Sequence, residues 1–166
     1  MRNLIAFPLL LLAIILQTSI FSQARLLSGS ADILLLTLGA WTLQDRVESA
    51  WLWGVIACLL AGFVSHLPWF IYALGYGSVI FLAQTLQKRV WQAPLLAMFS
   101  VVFLGTIAMN ALTFTALRIS GTPIAFADAL GLIILPSLLL NMLFAVPVHA
   151  FMRDLSRWVY PAEEYA

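Results

Sequence analysis

The chain has 166 residues, of which 63% are apolar and only 9% charged, with a formal net charge of +1. Soluble domains carry about 25% charged residues, and no soluble fold of this size could bury so much apolar surface, so the composition predicts an integral membrane protein. The near-neutral balance argues against a nucleic-acid partner, and the lone Cys58 excludes an intrachain disulfide.

The first apolar segment runs from Leu4 to Ser22, with Gln17 as its strongly polar interior residue. Its apolar run reaches Phe21, long enough to span, so Arg2 and Ser22-Gln23-Ala24 are read as helix flanks and not as parts of a cleaved leader. A polar link, Gln23 to Ser30, carries Arg25. The second segment begins at Asp32, a residue type that caps helices by accepting backbone N–H bonds, and continues through Ile33–Leu43. That length is short for a span. The segment either turns back within the membrane or crosses by continuing through Gln44-Asp45-Arg46 to Val47.

Segments three and four, Trp51–Leu67 and Trp69–Leu86, are divided by Pro68 and form a tight helical hairpin. The third is expected to be the central post of the bundle. Gly54, Cys58 and Gly62 form one ridge of small residues at four-residue spacing, and Ala57, Ala61 and Ser65 form an adjoining one. Such ridges let helix backbones approach closely in lipid, for packing within the chain or for binding a partner helix. The fifth segment, Leu95–Leu117, is entered through Pro94, and the turn-forming Ser120-Gly121-Thr122-Pro123 follows it. Asp128 is expected to cap the sixth, Ala127–Phe151, which Pro136 and Pro147 should kink. The predicted architecture is thus an all-α membrane protein, a six-transmembrane-helix bundle over residues 1–152 with a short cytoplasmic tail, 153–166.

Six spans place Arg2, Arg46, Lys88, Arg89, Arg153 and Arg157 on one side and Arg25 and Arg118 on the other. By the positive-inside rule both termini are then cytoplasmic. If segment two turned back, only Arg2 and Arg25 would exchange sides. Trp41, Trp51, Trp53, Trp91 and Trp158 fall near the inner interface and Trp69 near the outer one, as interfacial belts require.

A catalytic or ion-coupled site in lipid needs ionisable groups at depth. Asp32, Asp45, Glu48, Asp128, Asp154, Glu163 and Glu164 all fall at span ends or in links, and His66 and His149 lie on different spans at opposite ends. No metal-ligand spacing, nucleophile motif or phosphate-binding loop is present. Neither an enzyme nor a pump is expected, and no cofactor. The uncharged amides Gln17, Gln84, Asn110 and Asn141 remain, and in hydrocarbon each must find a partner. They are either interhelical glue worth about 1 kcal/mol each, or Gln17, Asn110 and Asn141 line a pocket shared by spans one, five and six.

Several stretches resemble one family. Pro8 leads into a Leu-rich span ending Leu16-Gln17-Thr18-Ser19; Ala31-Asp32-Ile33-Leu34-Leu35-Leu36 follows; then come Gly54, Ala61-Gly62-Phe63 and Tyr72-Ala73-Leu74-Gly75; Pro136-Ser137-Leu138-Leu139-Leu140-Asn141 and Pro147 close the series. In order, and over the whole chain, these are similar to MreD, the rod shape-determining membrane protein family of bacteria. Ser65-His66 stand where that family often has Asp, and Ala31 where Pro is usual. The resemblance implies a fold similar to the substrate-binding components of energy-coupling vitamin transporters. It also implies a non-enzymatic scaffold in the bacterial inner membrane that binds MreC and, through it, RodA, a class B penicillin-binding protein and MreB. The alternative is a small-molecule-capturing transport component of the vitamin-uptake type, with Gln17, Asn110 and Asn141 as its pocket groups.

Overall fold

The computed structural model of the chain describes residues 5–21, 29–44, 47, 49–65, 67–89, 93–122 and 125–160. Regular structure among them is helical throughout. Helix α1 is Ala6–Leu16, prolonged by a wider π turn, Gln17–Phe21; α2 is Ile33–Thr42; α3 is Ala50–Val64; α4 is Trp69–Arg89; α5 is Pro94–Ile119. Helix α6 is Phe126–Val159, and its second turn widens to a π-helix over Ala129–Ile134. Helices α4, α5 and α6, of 21, 26 and 34 residues, are long and apolar enough to cross a membrane, whereas α1 to α3 are shorter apolar helices.

The helix ends follow from local chemistry. Pro94 opens α5 at a position where a missing N–H costs nothing. Gly121 closes it with φ +84°, a left-handed conformation that glycine adopts without penalty. Around that glycine Gly121 N–H donates to Arg118 O at 3.1 Å and Thr122 N–H to Leu117 O at 3.0 Å, the paired bonds that satisfy the last carbonyls of a helix. In α6 the π turn ends just before Pro136. Proline has no N–H to donate, and the widened turn ahead of it is where the regular ladder gives way.

The helix at the centre is α2, not α3. All ten residues of α2 are buried, and it touches each of the other five helices. By contrast, α3 turns Trp51, Leu52, Val55, Leu59, Phe63 and Val64 outward. Length alone is misleading here. A helix enclosed by other helices need not span the hydrocarbon, and ten residues cover about 15 Å of a layer of about 30 Å. The helix also stops at Thr42 and does not continue toward Val47: Gln44 N–H turns back to Trp41 O and Val47 N–H to Gln44 O. Asp45 and Arg46 lie outside the described residues.

Consecutive helices alternate in direction, so their ends collect at two poles. At one pole Trp41 of α2 stacks on Trp53 of α3, with centroids 4.2 Å apart, and Tyr160 follows the end of α6 at 6.3 Å from Trp41. Gln87 of α4 donates to Gln44 O at 2.9 Å in the same layer. Trp41 and Trp53 are therefore core residues and not members of an interfacial belt, because the end of α2 is enclosed by α3 and α6. Trp51, Trp69 and Trp158 are exposed, while Trp91 lies outside the described residues. Between α4 and α5 the backbones come close at Gly105, where an added Cβ would meet Val79 at 2.8 Å. That crossing illustrates how small residues substitute for a hydrophobic driving force in lipid.

Candidate functional site

The start of α2 lies short of the opposite pole, beside Thr106 and Asn141 in the middle of α5 and α6. A helix start leaves four backbone N–H groups without partners, and in a membrane interior each would cost several kcal/mol. Here side chains of α1 and α6, together with Asp32 itself, supply the acceptors. Ser30 N–H donates to Ser137 Oγ at 3.1 Å and Asp32 N–H to Asn141 Oδ1 at 2.8 Å. Ile33 and Leu34 N–H both reach Gln17 Oε1, at 3.0 and 3.3 Å. Leu35 N–H donates to the carboxylate of Asp32 at 3.0 Å, which makes Asp32 the cap of α2. Asn141 completes the set by donating from Nδ2 to Thr106 Oγ1 at 2.9 Å, which ties α6 to α5.

Gly29 lets this entry occur. A Cβ there would lie 2.6 Å from Ser137 N and 2.8 Å from Pro136 Cβ. The chain therefore threads against the backbone of α6 where the π turn ends, and only a residue without a side chain fits.

Beside this hydrogen-bonded start is a cavity of about 280 Å³. Its walls come from the ends of α1 and α3, the beginnings of α2 and α4, the middle and second half of α5 and the first half of α6. Gln17, Asn110 and Asn141 all line it, so the three amides share one site. Gln17 and Asn141 direct their carbonyl oxygens to α2, as backbone caps. Among the described residues Asn110 bonds only its own helix, from Nδ2 to Thr106 O at 2.9 Å. Gln84 is not part of the lining.

Several cavity residues went unrecognised in the sequence: Asp32 as a lining residue, Tyr72, Tyr76, Thr106 and Ser137. Their signal was present as polar pairs at four-residue spacing on three helices, Tyr72/Tyr76, Thr106/Asn110 and Ser137/Asn141, since residues so spaced share a helix face. Tyr76 is fully buried, with its hydroxyl a long 3.5 Å from Asp32 Oδ1, and Tyr72 donates to Ser65 Oγ. Ser65, which with His66 stands where the resembled family often has Asp, lies on the cavity wall.

The expectation that no ionisable group lies at depth needs correction. Asp32 sits among the helices because α2 begins inside the bundle, about half a membrane thickness from the pole where it ends. His149, expected at a span end, lies within α6, which runs on to Val159, and its imidazole is buried, its Nδ1 without a hydrogen bond among the described residues. His66 lies outside the described residues. Asp128 does not cap α6. The cap position is Ala125, and the Asp128 side chain, exposed in the first turn, makes no capping bond; a carboxylate there still favours the positive end of the helix dipole.

The small-residue ridges of α3 are used within the chain. A Cβ on Gly54 would collide with Ile80 of α4, and one on Gly62 would lie 3.3 Å from Trp69 Cβ. Cys58 Sγ–H approaches Trp69 O at 3.5 Å, while Ala57 and Ala61 are buried. Gly54, Ala57, Cys58 and Ala61 are buried packing contacts of α3 within the chain, while Gly62 is half-buried. Among the described residues no three His, Cys, Asp or Glu side chains gather as a metal-ligand group. Comparison with protein-family models, with curated proteins and with solved structures returned no match.

Proposed function

We propose that this chain is a non-enzymatic scaffold of the bacterial cell-elongation machinery, similar to MreD. In this reading it crosses the cytoplasmic membrane six times with both termini inside. It binds MreC and, through it, RodA, a class B penicillin-binding protein and MreB. One observation carries the reading: the residues quoted for the resemblance from three distant stretches, Gln17, Asp32 and Ser137 with Asn141, converge on the start of α2 in one hydrogen-bonded cluster. That residues carrying the resemblance also build the fold's most demanding joint supports a shared architecture. The alternating helix directions and the placement of Lys88, Arg89, Arg153 and Arg157 at one pole support the orientation. With so little chain outside the helices, a partner docks mainly on apolar helix faces. Co-expression with MreC tests this: a stable complex on size exclusion supports the scaffold, and separate elution with unchanged cell shape on deletion counts against it.

The cavity favours a second reading, capture of a small molecule by a component of the vitamin-uptake type. A small molecule that copurifies in the absence of MreC, seen by native mass spectrometry, would favour that reading over the first.

A further inference from the structure

The cavity beside α2 has a carboxylate in its wall. Among the described residues of its lining Asp32 is the one charged side chain, with no Lys, Arg or His beside it. Its Oδ1 takes the Leu35 amide and a long contact from Tyr76, the Leu34 amide also acts on the carboxylate, and the residue lines the cavity. Tyr72 and Tyr76, with ring centroids 5.9 Å apart and planes at 38°, stand beside it on α4. Asn110 lines the same cavity, holds its Nδ2 on its own helix and has no hydrogen bond at its Oδ1 among the described residues. A carboxylate in low dielectric calls for a cationic donor, and tyrosine faces attract the same charge. A volume of about 280 Å³ falls just below the range of about 300–1,000 Å³ for drug-sized ligand sites, so the occupant is small.

We propose that this cavity binds an ammonium group, held by Asp32, flanked by Tyr72 and Tyr76, and bonded by Asn110. The site deepens the capture reading by naming its ligand chemistry; it stands whether or not the chain is a scaffold, because a scaffold can carry such a ligand. An ammonium can arrive on a lipid headgroup or as a free amine, and the chemistry that recognises it is the same.

The test uses the full chain in nanodiscs. Thermal unfolding and native mass spectrometry are compared in phosphatidylglycerol alone, with added phosphatidylethanolamine, and with free ethanolamine; ethylene glycol is the uncharged control. Stabilisation and a bound mass with phosphatidylethanolamine alone identify a lipid headgroup, and the same with free ethanolamine identify a soluble amine. Asp32→Asn keeps an oxygen for the Leu35 amide and should weaken binding by about tenfold or more. Asn110→Leu, which leaves the α2 cap untouched, should also weaken it and guards against a folding artefact in the first variant. Binding of neither amine, or binding unchanged in both variants, overturns the assignment. MreC association is measured separately, so loss of the scaffold reading and loss of this site are distinguishable.

Discussion

Asn141 of α6 holds the backbone of Asp32 in place: its Oδ1 accepts the Asp32 N–H at 2.8 Å across 109 residues of sequence. The same side chain bonds Thr106, so one amide joins α2, α5 and α6. This is more than interhelical glue, because the group it satisfies is a backbone donor at a buried helix start. Side-chain bonds between membrane helices average about 0.6 kcal/mol, whereas a buried donor left unpaired costs about 1–3 kcal/mol. Asn141→Leu should therefore lower stability by the larger amount. Thermal or denaturant unfolding in detergent measures it, and an unchanged or higher midpoint would speak for mere glue.

Gln17→Leu removes one oxygen that serves two amides, Ile33 and Leu34. The expected loss is again about 1–3 kcal/mol. Residues joined in one network couple, so the double variant with Asn141→Leu should depart from additivity. Strict additivity of the two unfolding free energies would mean that α1 and α6 brace α2 independently.

Two glycine substitutions should have opposite signs. Gly29→Ala drives a methyl against Ser137 N and Ile133 O, 2.6 and 2.9 Å away. Backbone cannot yield as a side-chain tip can, and the expected cost is about 1–3 kcal/mol. A Cβ on Gly77 of α4 meets nothing within 4 Å, so Gly77→Ala should stabilise by about 0.5–1 kcal/mol. Equal unfolding midpoints for the two variants would contradict the threading of residue 29 past α6.

Orientation is testable with single cysteines in a Cys58→Ala background. A thiol at Ser120 should react with an impermeant maleimide in intact cells, while thiols at Asn3 and Arg157 should react only after permeabilisation. Reaction at Asn3 in intact cells would put the N-terminus outside and make α2 a re-entrant helix.

Much of the helical layout was legible because its signals are local. Pro94 marks the start of α5, Lys88 and Arg89 mark the end of α4, and Gly121 marks the end of α5. The place of α2 was not. A ten-residue apolar run is measured in sequence against the thickness of lipid, yet here it is measured against other helices. Gln17, Asn110 and Asn141 stood out as amides in apolar segments. Asp32 looked like an ordinary cap at a rim, since nothing in the residues before it says that the chain enters the bundle extended. Asp128 invited the same reading and failed it, because α6 begins upstream of it at Phe126.

The architecture rests on α2 starting inside the bundle with its first amides held by α1 and α6. Hydrogen–deuterium exchange in nanodiscs at Ile33, Leu34 and Leu35 addresses this directly. The expected result is slow exchange in the parent chain, comparable to the interior of α5, and fast exchange at Ile33 and Leu34 in Gln17→Leu. Exchange at these amides as fast as in an unstructured peptide, already in the parent chain, would contradict it.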